Sequence, residues 1–146
     1  MILDFYNDFL NKPINGAQNF FWSEALELRD WGIFAMPDPF TVKKIERAAY
    51  LMERIRAVLD DRPILVRSWW RPYHYNAHIG SGVGSMHLLG YAVDFSVENL
   101  EANEVREILV QYLDTFEFCM ENKPNSSWVH IDLGTPRPNT GRFFTP

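Results

Sequence analysis

A single cysteine, Cys119, stands among 146 residues. A disulfide within the chain is therefore excluded, and so is a thiolate-rich zinc site. Any metal must be held by histidine, aspartate and glutamate. Histidine is itself scarce, with only His74, His78, His87 and His130. Basic charge is lacking as well: 14 Lys and Arg stand against 19 Asp and Glu, a net charge of −5. Nucleic-acid binders carry a basic face, so this balance argues against nucleic acid as a partner. It argues more weakly against an anionic membrane surface. No apolar run approaches the ~18 residues that a membrane-spanning helix needs. The opening MILDFYNDFL has no basic region followed by an apolar one, so no secretory signal is expected. Repeats, low-complexity tracts and linkers are absent too. One domain over residues 1–146 is expected, and nothing points beyond a monomer.

Apolar residues make up 47% of the chain, enough for a core without staples. Aromatics are rich at 15%, with five Trp, and such a load serves both cores and clefts. Residues 1–40 read as aromatic and irregular, with Ser23 as N-cap of a short helix over EALELRD. Met36 to Phe40, MPDPF, reads as a breaker. The clearest helix runs from Thr41 to Asp60, where Ile45, Ala48, Met52, Ile55 and Leu59 form one apolar stripe. PILVRSWW reads as a strand, and Arg71 to Ser85 as a glycine-containing loop. A second strand is expected over Gly90 to Val97 and a second helix over Glu101 to Leu113. Phe116 to Met120 and Ser127 to Leu133 read as short strands joined by a polar turn, followed by an extended tail. Strands separated by only a turn pair antiparallel. The expected class is α+β, a small antiparallel sheet with helices packed on one side.

Chemistry concentrates in Ser85-Met-His-Leu-Leu-Gly-Tyr-Ala-Val-Asp94 and in WVHIDL around His130. Small residues between His87 and Asp94 let the backbone pass close to a site. Two imidazoles and one carboxylate leave a fourth zinc position open, which is the layout of a catalytic centre. Composition alone leaves an ordinary hydrogen-bonded histidine as the commoner fate of each.

The stretch VRSWWRPYHYNAHIGSGVGSMHLLGYAVDF resembles the signature of the M15-type zinc D,D-carboxypeptidases and related peptidoglycan endopeptidases. The matching residues are Ser68, Arg71, Tyr75, Asn76 and Gly80, then Ser85, His87, Gly90, Ala92 and Asp94. WVHIDLG, with Pro136 and Arg137 after it, is similar to the His-x-Asp ending of one branch. NFFWSEALELRD is similar to the start of these domains. The resemblance implies a hedgehog/DD-peptidase-like fold and a Zn2+ site of His87, Asp94 and His130. It implies peptidoglycan stem peptides as the partner, and a peptidase acting on a D-Ala-D-Ala terminus, a stem-peptide bond or a cross-link. It gives Arg71 the task of holding a substrate carboxylate or carbonyl oxygen, for which a guanidinium fork is suited. Ser85 and His78 are further candidates for substrate contact. Ser85 also reads as the start of a turn, and His78, like His74, as a solvated loop residue. Trp69, Trp70 and Trp128 flank the expected ligands and serve either a groove wall or the core.

Many members of the family carry Glu-x-x-His at the third ligand, where the Glu is the general base. Ser127 stands at that position and cannot do this. Asp132 shares a strand face with His130 and is the best substitute. Its alternative is a carboxylate that orients a ligand. The missing Glu also motivates a second function, a zinc-binding module without catalysis. A third, a non-haem iron oxygenase, would use His130 and Asp132 as its His-x-Asp pair. No histidine follows His130, which weighs against it. A wall peptidase without a signal segment suits a phage lysin, a virion-borne enzyme or an enzyme of wall recycling.

Overall fold

The computed structural model describes residues 2–146. The chain opens with α1 (Ile2–Leu10), a hairpin of β1 (Pro13–Ile14) and β2 (Ala17–Phe21), and α2 (Trp22–Leu26). A second ribbon, β3 (Glu27–Leu28) and β4 (Ile33–Phe34), encloses a 3-10 turn at Arg29–Trp31. Next come α3 (Pro39–Val58), β5 (Ile64–Ser68), α4 (Tyr73–His78), a 3-10 turn at Met86–Leu89, and β6 (Ala92–Val97). The last part is α5 (Ala102–Leu109), a 3-10 turn at Val110–Tyr112, α6 (Leu113–Phe116), β7 (Cys119–Glu121), β8 (Val129–Asp132) and β9 (Phe143–Phe144).

Five strands form the main sheet in the order β5-β6-β8-β7-β9. All neighbours are antiparallel except β7 and β9, which run parallel. The sheet is therefore mixed: antiparallel, as expected, over β5, β6, β8 and β7, with one parallel pair at the β9 edge. The segment 133–142 carries the chain across β7 and turns it, so that β9 runs against β8 and with β7. The fold is α+β, and its layers follow from period-two alternation. Val93, Phe95 and Val97 on β6, with Val129 and Ile131 on β8, join the core with α3 and α5. Asp94, His130 and Asp132 alternate with them and project from the other face.

The apolar stripe of α3 is buried as its spacing requires: Ile45, Ala48, Met52, Ile55 and Leu59 are nearly solvent-free. The expected breaker before it turns out to start it. Asp38 is the N-cap, accepting from Thr41 N at 2.8 Å, and Pro39 takes the first turn, where its missing N–H costs nothing. The helix leaves through Asp60 and Asp61, both in the left-handed region. Aspartate tolerates that region better than most residues.

Other elements differ from expectation. Residues 2–10 are helical although no cap signal marks them. Ser23 does not cap α2; Phe21 holds that position and Trp22 is buried, stacked on Phe9 with ring centroids 5.1 Å apart. Tertiary packing of Trp22 outweighs the local capping signal there. PILVRSWW stops being a strand at Ser68, because Trp69 and Trp70 leave the ladder for the core. Part of the expected loop is α4. The helix expected over 101–113 begins with Glu101 as N-cap, in a reciprocal capping box with Glu104, and changes to a 3-10 turn after Leu109.

Gly90 fixes how the site-bearing segment meets α3. Its φ is +83°, and an added Cβ would lie 2.8 Å from Ile45 Cγ1. Gly90→Ala is expected to cost about 2–4 kcal/mol, from left-handed backbone strain and overpacking together. Urea unfolding of the two proteins measures this.

Candidate metal centre

Four elements converge on the polar face of the sheet. Asp94 on β6 pairs across the ladder with His130 on β8, and Ala92 pairs with Asp132. Such partners lie about 5 Å apart at Cβ, so the pairing alone sets two potential ligands together. On the other side of β6 a bulge between Val66 and Ser68 gives β5 one extra residue. Ser68 rather than Arg67 therefore faces Asp94, and the bulge re-aims the strand end beside the site.

His87 arrives on the 3-10 turn Met86–Leu89, whose N-cap Ser85 accepts from His87 N at 3.2 Å. Four hydrogen bonds lock that turn to residues 69–71. Trp69 Nε1 donates to Gly90 O at 3.1 Å, and Trp70 Nε1 to Leu88 O at 3.2 Å. Arg71 N donates to His87 O at 2.9 Å, and His87 Nδ1 bonds Trp69 O at 2.6 Å. The carbonyl can only accept, so Nδ1 carries the proton and Nε2 points inward. Trp69 and Trp70 thus build the site from behind as core residues. Trp128 is partly exposed and lies under Arg67, 6.0 Å from its ring centroid.

Asp94 is buried at the centre. Its Oδ2 lies 2.9 Å from Arg71 Nη2 and 3.2 Å from His87 Nε2, and its Oδ1 lies 2.7 Å from His130 Nδ1. Arg71 is braced by Ser68 Oγ, which accepts from its Nε at 2.8 Å. The other nitrogen of His130, Nε2, meets Asp132 Oδ2 at 3.0 Å. Asp132 is fully buried. It also accepts from Gly134 N at 2.9 Å and from both terminal nitrogens of Arg137, at 3.0 and 2.9 Å.

Burial opposes charge on every one of these groups, and their neighbours decide the outcome. Burial would raise Asp94, but the charge of His87 and hydrogen bonds from both imidazoles hold it far below the usual carboxylate range. Asp132 is brought down to about 2, its bonds from His130 and Arg137 overcoming burial. Burial would lower His130, yet hydrogen bonds to Asp132 and Asp94 raise it to about 9. For His87 burial wins over Asp94, and its pKa falls below the ordinary value. His87 Nδ1–H is committed to Trp69 O, so Nε2 is the nitrogen that faces Asp94 Oδ2, and in the neutral ring it is the one that carries a lone pair for a cation.

The donor set fits a metal. One atom each from His87, Asp94 and His130 lies within 4.8 Å of the others. The inward atoms are His87 Nε2, a carboxylate oxygen of Asp94 and His130 Nδ1. Each outer imidazole nitrogen is held by an acceptor, as ligating histidines require. Of the other expected site residues, Arg71 and Ser85 touch the trio, while His78 on α4 lies with Asp30, Trp31 and Tyr75. His74 is exposed. Sequence reasoning missed the Trp69 carbonyl, Gly134 and Phe144, whose ring packs edge-on against His130 at 6.0 Å. It noted Arg137 only as part of the ending. None of the four carries a local signal, because each acts through a contact made by the fold.

The titration of the two imidazoles shapes stability in chelator-treated protein. His130, raised in the fold, adds stability that is complete below its unfolded value near 6.5 and is lost as pH rises through about 9. His87, lowered in the fold, costs stability as pH falls below about 6.5. Stability of metal-stripped protein should peak near pH 6.5. It should fall by on the order of 3 kcal/mol by pH 9, read from urea unfolding across pH.

No curated protein matches the chain. A family model described as Peptidase M15 matches residues 26–132, from the end of α2 to the end of β8. That stretch holds all three donors and Arg71 and covers most of the sequence, and on this match the chain belongs to the peptidase M15 family.

Proposed function

We propose that this chain is a zinc-dependent peptidase that hydrolyses peptide bonds in bacterial cell-wall peptidoglycan, as a D,D-carboxypeptidase or an endopeptidase. The observation that carries the reading is the convergence of His87, Asp94 and His130 on one point, inside a peptidase family match. His87 Nε2, Asp94 and His130 Nδ1 would hold the ion. Zinc bound there supplies Lewis-acid polarisation of a carbonyl and activates water near neutral pH.

The chain's own groups do the rest. Trp69 O fixes the tautomer and the ring plane of His87. Arg71 stands beside the trio with Nε braced by Ser68. Its guanidinium is placed to receive a substrate carboxylate or the developing oxyanion. Ser85 serves the site through the turn that carries His87. His78, partly exposed on α4 beside Trp31, is proposed as an outer contact for the stem peptide.

Asp132 is assigned the orienting role and not that of the base. Its two oxygens already accept four hydrogen bonds, which fills a carboxylate's lone pairs, and no solvent reaches it. With Ser127 at the position of the family's Glu, no carboxylate base stands among the residues assigned here. That observation supports one rival, a zinc-binding module that keeps the fold without turnover.

Elemental analysis of protein purified without chelator, with mass spectrometry of digested peptidoglycan, separates the readings. About one zinc per chain is expected, with new peptide ends that disappear in His87→Ala. Arg71→Ala should keep the zinc and lose about 10²–10³-fold in kcat. One zinc with no product on any wall type selects the non-catalytic module. No zinc after zinc is supplied defeats both.

A further inference from the structure

We propose that Arg137 is a positioning residue of the metal site, acting through Asp132 on His130. The tail from Gly134 to Phe144 is then part of that site, although it lies beyond the residues that define the family match. The proposal rests on the reading of His87, Asp94 and His130 as metal ligands.

His130 has one nitrogen turned inward, so the direction of its lone pair depends on what holds the other. Asp132 Oδ2 holds it, at 3.0 Å from Nε2. Asp132 is in turn gripped by a planar fork, Arg137 Nη1 on Oδ1 at 3.0 Å and Nη2 on Oδ2 at 2.9 Å. A bidentate pair fixes the carboxylate plane as well as its distance. Gly134 N adds a third donor, and Gly134 has to be bare: a Cβ there would lie 2.8 Å from Asp132 Oδ1 and 3.2 Å from Arg137 Nη1.

Arg137 is itself anchored. Its backbone exchanges two hydrogen bonds with Gly141, at 2.9 and 2.8 Å. Its guanidinium lies 3.8 Å from the ring centroid of Phe144, and that ring meets His130 edge-on. Phe144 is fixed by the pairing of β9 with β7. The tail therefore reaches His130 twice, by the Arg137–Asp132 chain and by the Phe144 ring. Removing the fork leaves a fully buried carboxylate short of two donors. It relieves that loss by turning, and His130 loses its fixed orientation.

The test reads zinc dissociation constants of the full chain by competition with a chromophoric chelator. It is run on wild type, Arg137→Met, Arg137→Lys, Asp132→Asn and the Arg137→Met/Asp132→Asn pair. The visible spectrum of the cobalt-loaded proteins reports ligand geometry, and circular dichroism of the metal-free proteins reports folding. Arg137→Met is expected to weaken zinc about 10–100-fold and to change the cobalt bands. Arg137→Lys should restore only part, since an ammonium offers no planar fork. In the Asp132→Asn background the Arg137→Met effect should shrink to less than about threefold, the mark of action through Asp132. A folded Arg137→Met protein with wild-type zinc affinity overturns the proposal, even if its melting temperature falls. So does full additivity of the two substitutions. If Arg137→Met does not fold, Arg137→Lys decides, and wild-type affinity in it overturns the proposal. Failure of the wild type to bind zinc overturns the ligand reading itself, and this proposal with it.

Discussion

Asp94 is a buried carboxylate, and a charge in that position survives only if it is fully paired. Its two oxygens meet Arg71, His87 and His130, which come from the loop after β5, from a 3-10 turn and from β8. Three separate pieces of chain are tied to one side chain. Leaving such a group wholly unpaired costs several kcal/mol, so the three contacts together hold these pieces of chain in place. The same carboxylate is the centre of the donor set. What organises the polar face in the folded chain is therefore what would bind the ion.

Behind that face the arrangement is apolar and ordinary. Valine, isoleucine and phenylalanine alternate inward along β6 and β8 against α3 and α5. The alternation converts a packing rule into a functional one, because each inward Val or Ile obliges the next residue to point to the site. A one-residue slip between β6 and β8 would exchange the core residues for Asp94, His130 and Asp132. The hydrophobic core therefore enforces the register that brings Asp94 and His130 together.

Much of this was legible in the sequence. The α3 stripe, the β6 and β8 strands, the α+β class and the grouping of His87, Asp94 and His130 followed from spacing and resemblance. What escaped had no local period to betray it. Residues 2–10 form a helix with no capping signal, and α4 hides among glycines and histidines. Trp69 and Trp70 read as strand residues because aromatics favour strands, yet tertiary packing draws them under the His87 turn. Asp132 looked reactive in sequence because a carboxylate two residues from an expected ligand can serve either as base or as support. Its burial and its four hydrogen bonds become visible only when the chain past Leu133 has folded over it. The parallel pairing of β9 was illegible for the same reason, since two phenylalanines in a Pro- and Gly-containing tail announce no partner.

The contacts of Arg137 with Asp132 and of Phe144 with His130 have a consequence for the order of events during synthesis. Arg71, His87 and Asp94 leave the ribosome well before His130, and Arg137 and Phe144 later still. A nascent chain that stops short of Phe144 already holds α3, β5, β6 and β8, and the local contacts of α3 are of the kind that form early. It cannot complete the cage around His130. The three donors are therefore made before the tail that braces their neighbours, and their final orientation waits for β9 to pair with β7.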